Sequence, residues 1–302
     1  ERYRLDDVTF TPISHDTPVK GKGKLAYYEQ RLGLRLAQRR LPRLRRLLWE
    51  KVGAPLAAAD AGRLAEVLDR SRVDCFVVSD VNMGFGRGLV GACRRRGIPT
   101  LGNIFSWDHP FYEHPSRPDV VACWSPKVKT ELIRRSGFEP ERVRVIGAPA
   151  YDLYVDPAGE WTREQLCRRM GLDPDRSILV FATLGQMKKF FDETDTFRAL
   201  LDALDAGRIP HRPQVVLRLH PVTVDRYFHE LASRPDVVVS RYVGYSPGMR
   251  WWPSHDEVLL AANLLRHADV CLSPGSSMAI EPAIFDTPTI VPVFNRYMPE
   301  EY

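Results

Sequence analysis

No apolar run in the 302 residues approaches the roughly 20 needed to span a membrane, which excludes a transmembrane helix. No secretory signal peptide is expected, and the first residue is Glu1 rather than Met, which reads as a start inside a longer protein. Cysteine is scarce and unpatterned. Cys75, Cys93, Cys123, Cys167 and Cys271 include no C-x-x-C pair and mostly lie in apolar runs. An odd, scattered set argues against a disulfide framework or a zinc site, and for reduced core thiols in a cytoplasmic protein. Low-complexity tracts and internal repeats are absent. So is a dinucleotide fingerprint: Gly84-x-Gly86-x-Gly88 is not G-x-G-x-x-G, and those glycines predict a tight turn instead. Asp173-Pro174-Asp175 has the D-x-D form of a metal site, but it precedes a strand and reads as a turn. No metal is expected.

What remains is an ordinary globular composition, 44% hydrophobic and 27% charged, in a chain long enough for two domains. Apolar runs of strand length alternate with helical patterns, the mark of α/β architecture. In the first half the expected strands are Val8–Ile13, Asp74–Ser79, Pro99–Ile104, Asp119–Trp124 and Val143–Gly147. Helices are expected over Leu89–Arg96 and Ser125–Ser136. Gly147-Ala148-Pro149-Ala150, followed by the polar Asp156–Glu160, marks a boundary, giving domains 1–149 and 150–302. The second half predicts helices over Thr162–Met170 and Thr194–Ala206. Its strands are Ser177–Ala182, Gln214–Leu219 and Val237–Ser240, before a helix that a Ser254–Glu257 capping box opens. Both domains read as doubly wound and Rossmann-like.

The net charge of +5 is modest but unevenly spread. In a helical stretch from about Tyr27 to Arg70, Leu34, Ala37, Leu41, Leu44 and Leu48 form a stripe expected to be buried. Arg31, Arg35, Arg39, Arg40, Arg43, Arg45, Arg46 and Lys51 line the other faces. Such a surface suits anionic lipid headgroups at a membrane face or an anionic acceptor; the alternative is a solvated face over a core helix. A nucleic-acid partner is not expected, because no aromatic residues interleave the charges as a stacking platform would need.

Most of the chemistry gathers in Ala268–Asn295. Val270–Leu272 ends in Ser273-Pro274-Gly275-Ser276-Ser277, a helix-like segment runs to Phe285, and a second apolar run follows Asp286-Thr287-Pro288. This is a βαβ unit whose first strand delivers a Gly/Ser loop onto a helix N-terminus. There N–H groups, hydroxyls and the helix dipole would meet a phosphate. Glu281, four residues beyond Ser277, would accept hydrogen bonds from a ribose diol. The alternative is a helix cap and a solvated glutamate. Two further strand ends carry polar loops: Thr183 to Gln186, with Gly185, and Arg218 to Pro221, where Arg218 and His220 alternate to one side. Ligands of open α/β sheets sit outside such ends.

Two α/β halves, the His220-Pro221 pair after a strand, and Ser276-Ser277 before a segment bearing Glu281 resemble the GT-B glycosyltransferase superfamily. The string from Leu264 to Glu281 is similar to the donor-site segment of bacterial surface-polysaccharide, CDP-glycerol and sialyl/Kdo-type transferases, and Trp107-Asp108 resembles a W-D pair of related proteins. The E-x7-E spacing of retaining members and the D/E-D/E-G motif of sialyltransferases are missing. The resemblance implies two domains facing a cleft and a nucleotide-activated donor held by the second. Gly185, Gln186, Arg218, His220, Gly275, Ser276, Ser277 and Glu281 would hold that donor. The first domain would take a saccharide or lipid-linked acceptor, with no metal or cofactor. Transfer to an acceptor hydroxyl needs a base; Asp108 is the first candidate, then His109 and Asp80, each just after a strand. A nucleotide-sugar 2-epimerase on the same scaffold is an alternative reading, and a non-catalytic nucleotide-binding scaffold protein is another.

Overall fold

Ile178-Leu179-Val180-Phe181-Ala182 has no polar residue to turn toward water, so a strand made of it must be covered on both faces. In the computed structural model it is the central strand of a five-stranded parallel sheet, and all five residues are buried. The structure describes residues 68–79, 81, 84–104, 117–184, 193–220, 228, 231, 233–241 and 253–292, together with 32, 44, 47, 48, 51 and 52. The chain divides into two compact units that change over between Pro149 and Ala150.

The first unit carries β1 (Phe76–Val78), α1 (Gly84–Arg95), β2 (Thr100–Asn103), β3 (Val120–Cys123), α2 (Pro126–Ser136) and β4 (Val143–Val145). Its described strands are parallel and lie in chain order, β1-β2-β3-β4. Ser125 caps α2 by accepting from the Val128 amide at 3.3 Å, Pro126 occupies the first turn, and Gly137 ends the helix at φ 66°. Val78, Val121, Cys123 and Val143 pack with Val90, Val128 and Leu132 of the two helices into one core. The glycines expected in a tight turn instead fall in the first turns of α1. Residues 31–51 lie almost wholly outside the described set; Leu44, expected on the buried stripe, is 51% exposed. The expected strand Val8–Ile13 lies outside it too.

The second unit carries α3 (Arg163–Met170), β5 (Ile178–Ala182), α4 (Glu193–Asp205), β6 (Gln214–Arg218), β7 (Val237–Ser240), α5 (His255–His267), β8 (Val270–Leu272) and β9 (Thr289–Ile290). All pairings are parallel, in the order β7-β6-β5-β8-β9. Strand alternation divides the apolar residues between two cores. Ile178, Val180, Val216 and Cys271 join α3 and α5 on one face. Leu179, Phe181, Val215 and Leu217 join Phe197, Leu200 and Leu204 of α4 on the other. Thr162 and Gln165 close a capping box at α3, and Ser254 accepts from the Glu257 amide at 3.3 Å to open α5. Arg163 donates to the carbonyls of Pro174, Arg176 and His267 at 2.6–2.8 Å, tying α3 to the last turn of α5.

Candidate functional site

The chain runs outward from β5 through α4 to β6 and β7, then returns through α5 to β8 on the opposite side of β5. At such a reversal the connections leave the sheet in opposite directions, and the carboxyl ends of the two central strands border a crevice. Ala182 is level with Arg218, and Phe181 with Leu272. The segments after β6, β5 and β8 therefore emerge along one sheet edge, neighbours about 4.8 Å apart. Three of the expected loops, those bearing Thr183, His220 and Ser273–Ser277, meet there.

The middle loop is stitched to its neighbour. The Thr183 amide donates to the Arg218 carbonyl at 3.0 Å, and the buried Thr183 hydroxyl accepts from the His220 amide at 2.7 Å. Burial lowers the His220 imidazole below its ordinary 6.5, because removal from water penalises the cation. At neutral pH it is a neutral ring with one donor and one acceptor nitrogen. Beyond Thr183, the Leu184 amide donates to the carboxylate of the buried Glu193, at the start of α4.

After β8, Ser273 is fully buried, with its hydroxyl 3.1 Å from that of Ser276. Gly275 follows at φ 122°, a backbone conformation that L side chains rarely adopt; an added Cβ would meet nothing within 4 Å, so conformation rather than space calls for glycine. Ser276 then caps the next turn, accepting from the Met278 amide at 3.2 Å. The expected helix does not form here. Residues Ser277–Ala279 and Glu281–Phe285 are two short 3-10 turns, closed by bonds such as Ile280 N to Ser277 O at 2.9 Å. Pro282 has no N–H to offer and its ring obstructs an α-turn, while Asp286 at φ 56° ends the segment. A long helix dipole is thus not available to an anion. What the loop offers is local: exposed Gly275 and Ser277 beside a Ser276 hydroxyl engaged within the turn.

Arg218 is not placed as expected. Its side chain is 2% exposed and is committed to a polar cluster, donating to the Ser240 hydroxyl at 2.7 Å and facing the Glu257 carboxylate at 3.4 Å. The reason is that β6 is covered on both faces, so a charge near its end needs a buried partner, and the first turn of α5 provides one.

Glu281 is 6% exposed rather than displayed on a helix face. Tyr154 donates to its Oε2 at 2.8 Å and Tyr151 to its Oε1 at 3.3 Å. Its charge, after burial, adds to the causes that push the Cys271 thiol up to about 12. The two tyrosines were missed from sequence; the available signal was a Tyr-x-x-Tyr spacing directly after the boundary, in the turn Pro149–Tyr154. Asp80, Asp108, His109, Gly185 and Gln186 lie outside the described residues. Asp173 takes the Asp175 amide at 3.0 Å, forming the expected turn.

No protein-family model and no curated protein sequence matches the chain. Solved structures do. UDP-GlcNAc 2-epimerase from Neisseria meningitidis, bound to UDP-GlcNAc, superposes with a TM-score of 0.52 at 15% identity, covering 78% of this chain and 64% of that one. The Methanocaldococcus jannaschii UDP-GlcNAc 2-epimerase, in complex with UDP-GlcNAc and UDP, gives 0.53 at 15% identity, covering 84% and 74%. A glycosyltransferase from Rickettsia africae ESF-5 gives 0.44 at 14% identity, covering 78% and 62%. The chain thus spans less than two thirds of the Neisseria protein's length. At these identities the likeness to the two epimerases is one of fold: α/β, with parallel sheets of the GT-B-like, Rossmann kind.

Proposed function

We propose that this protein is an enzyme acting on a nucleotide-activated sugar, with the nucleotide held at the carboxyl edge of the second sheet. The observation that carries the reading is the reversal of strand order between β5 and β8, which gathers Thr183, His220 and the Ser273–Ser277 loop at one edge. In this reading Gly275 and Ser277 take the phosphates, with neutral His220 beside them as a hydrogen-bond donor. Glu281 takes the ribose. Hydrogen-bond donors fixed around the phosphates stabilise charge on a leaving nucleotide without reorganising, so no metal is needed for that role.

Two reactions fit such a site. Epimerisation at C2 of the sugar is favoured by the structures with the same fold, which include UDP-GlcNAc 2-epimerases bound to UDP-GlcNAc. It requires acid and base groups around a single sugar and no acceptor. Transfer to a saccharide or lipid-linked acceptor is favoured by Trp107-Asp108 and the Ser276-Ser277…Glu281 string. It would use Asp108 as base, with His109 and Asp80 behind it. The basic stretch 31–51 would then face an anionic acceptor or membrane surface.

Incubation with UDP-GlcNAc alone, followed by NMR of the sugar, separates them. An isomerised sugar formed without acceptor supports epimerisation, and turnover only when a saccharide acceptor is added supports transfer. A thermal-shift panel of CMP-, CDP-, UDP- and GDP-linked sugars tests the shared premise. Absence of stabilisation by every member would overturn it.

A further inference from the structure

A carboxylate has about four acceptor positions, and burying one is costly unless donors fill them. Glu281, 6% exposed, receives two bonds, one on each oxygen, from Tyr154 and Tyr151. Among the described residues no cation pairs with it. Two acceptor positions are thus left, one per oxygen, and the tyrosines decide where those positions point.

The tyrosines are themselves held. The Tyr154 ring stacks on Phe285, with centroids 6.1 Å apart and planes inclined by 13°, and lies 5.2 Å from the Tyr151 ring. Arg266 covers the Phe285 ring at 4.6 Å and donates to the Tyr154 carbonyl at 3.1 Å. A carboxylate fixed this way, with one lone-pair direction open on each oxygen, matches two adjacent hydroxyl donors better than one.

The geometry points to Tyr154 and Tyr151 as positioning residues that orient Glu281 for a vicinal diol, making the site selective for ribonucleotides over 2′-deoxyribonucleotides. This rests on the nucleotide reading above. Losing one hydroxyl from the diol leaves a buried charged acceptor unmatched, which is costlier than losing a solvated contact.

The test is titration calorimetry of the full chain with UDP, CDP and GDP and their 2′-deoxy counterparts. The native chain is expected to bind the ribose form of its preferred nucleotide about tenfold or more tightly than the deoxy form, as for a hydrogen bond to a charged group. Tyr154→Phe is expected to remove most of that ratio by weakening the ribose form while leaving the deoxy form nearly unchanged. Tyr151→Phe, whose bond is the longer, is expected to do the same to a smaller extent, and it carries the test alone if Tyr154→Phe does not fold. A purely structural role would weaken both forms equally and keep the ratio, which would overturn the proposal. A native ratio near one would overturn it too. Failure of all six nucleotides to bind would overturn the nucleotide reading itself.

Discussion

The two sheets are both parallel, yet they are covered differently. Each described strand of the first sheet lies beside the next in chain order. Right-handed crossovers then place α1 and α2 on the same face, and among the described residues they form one core cluster with it. On β1, Val78 enters that core while Val77 is 62% exposed. The second sheet reverses at β5, so its helices fall on both faces, and two separate cores sandwich β5 and β6. The lesson is that strand order decides both where apolar residues are needed and where a ligand can enter. Among the described strands, only the second sheet reverses, the place where α/β sheets open a crevice, and the same reversal demands the unbroken apolar run of β5.

The strongest way to break this comparison is to cut away one side chain from each sheet. Phe181 is fully buried, its ring 4.8 Å from that of Phe197. Phe181→Ala is expected to cost about 3–5 kcal/mol in urea unfolding, from lost transfer energy plus the cavity left behind. Val77→Ser is expected to change stability by no more than about 0.5 kcal/mol. Equal losses would mean that Val77 is packed as closely as Phe181 and that its end of the first sheet is covered on both faces as well.

Ion pairs sharpen the contrast next. In the first unit, Arg96 meets Asp69 at 2.6 Å at an exposed site, where it holds the carboxyl below its usual range. In the second, Arg218 and Glu257 are buried together. Arg218→Met takes a buried cation away from the Glu257 carboxylate and is expected to cost about 3 kcal/mol. Arg96→Met should matter little, and less still at high salt. If Arg218→Met instead left thermal stability intact and abolished nucleotide binding, Arg218 would return to the phosphates, where sequence reasoning had put it.

Arg218 shows what could be read from sequence and what could not. Strands β5 to β8 and helix α5 were legible almost to their ends, because apolar runs, the Ser254 cap and the turn before β9 are local signals. The edge to which His220 and Ser273–Ser277 belong was legible from the alternation of elements alone. The burial of Arg218 was not legible because its partner Glu257 is 39 positions away, and only burial on both faces makes that partner necessary. Glu281 was found as a polar residue near the loop, but the tyrosines that hold it lie 127 and 130 positions earlier. The segment after Ser277 was misread for a different reason. Its apolar spacing suits a helix, and the contrary signal, Pro282, was in plain view.

The smallest expected effect separates the units by pH. Among the described residues the first unit contains no histidine, whereas the second contains His211, His220, His255 and His267. Burial depresses His220 in the folded chain below its ordinary 6.5. Above 6.5 the ring is neutral whether folded or unfolded, and its ionisation contributes nothing. As the pH falls below 6.5 the unfolded chain takes up the proton first, so folding loses stability until the folded ring also protonates. The native chain is therefore expected to lose melting temperature as the pH falls below about 6.5, and His220→Asn to lose less over the same interval. A bound nucleotide should change this difference, since phosphate beside the ring favours the cation and raises its pKa. If native and variant profiles stay parallel with and without nucleotide, His220 neither titrates out of line nor faces the phosphates, and the second unit loses one of the three loops that define its edge.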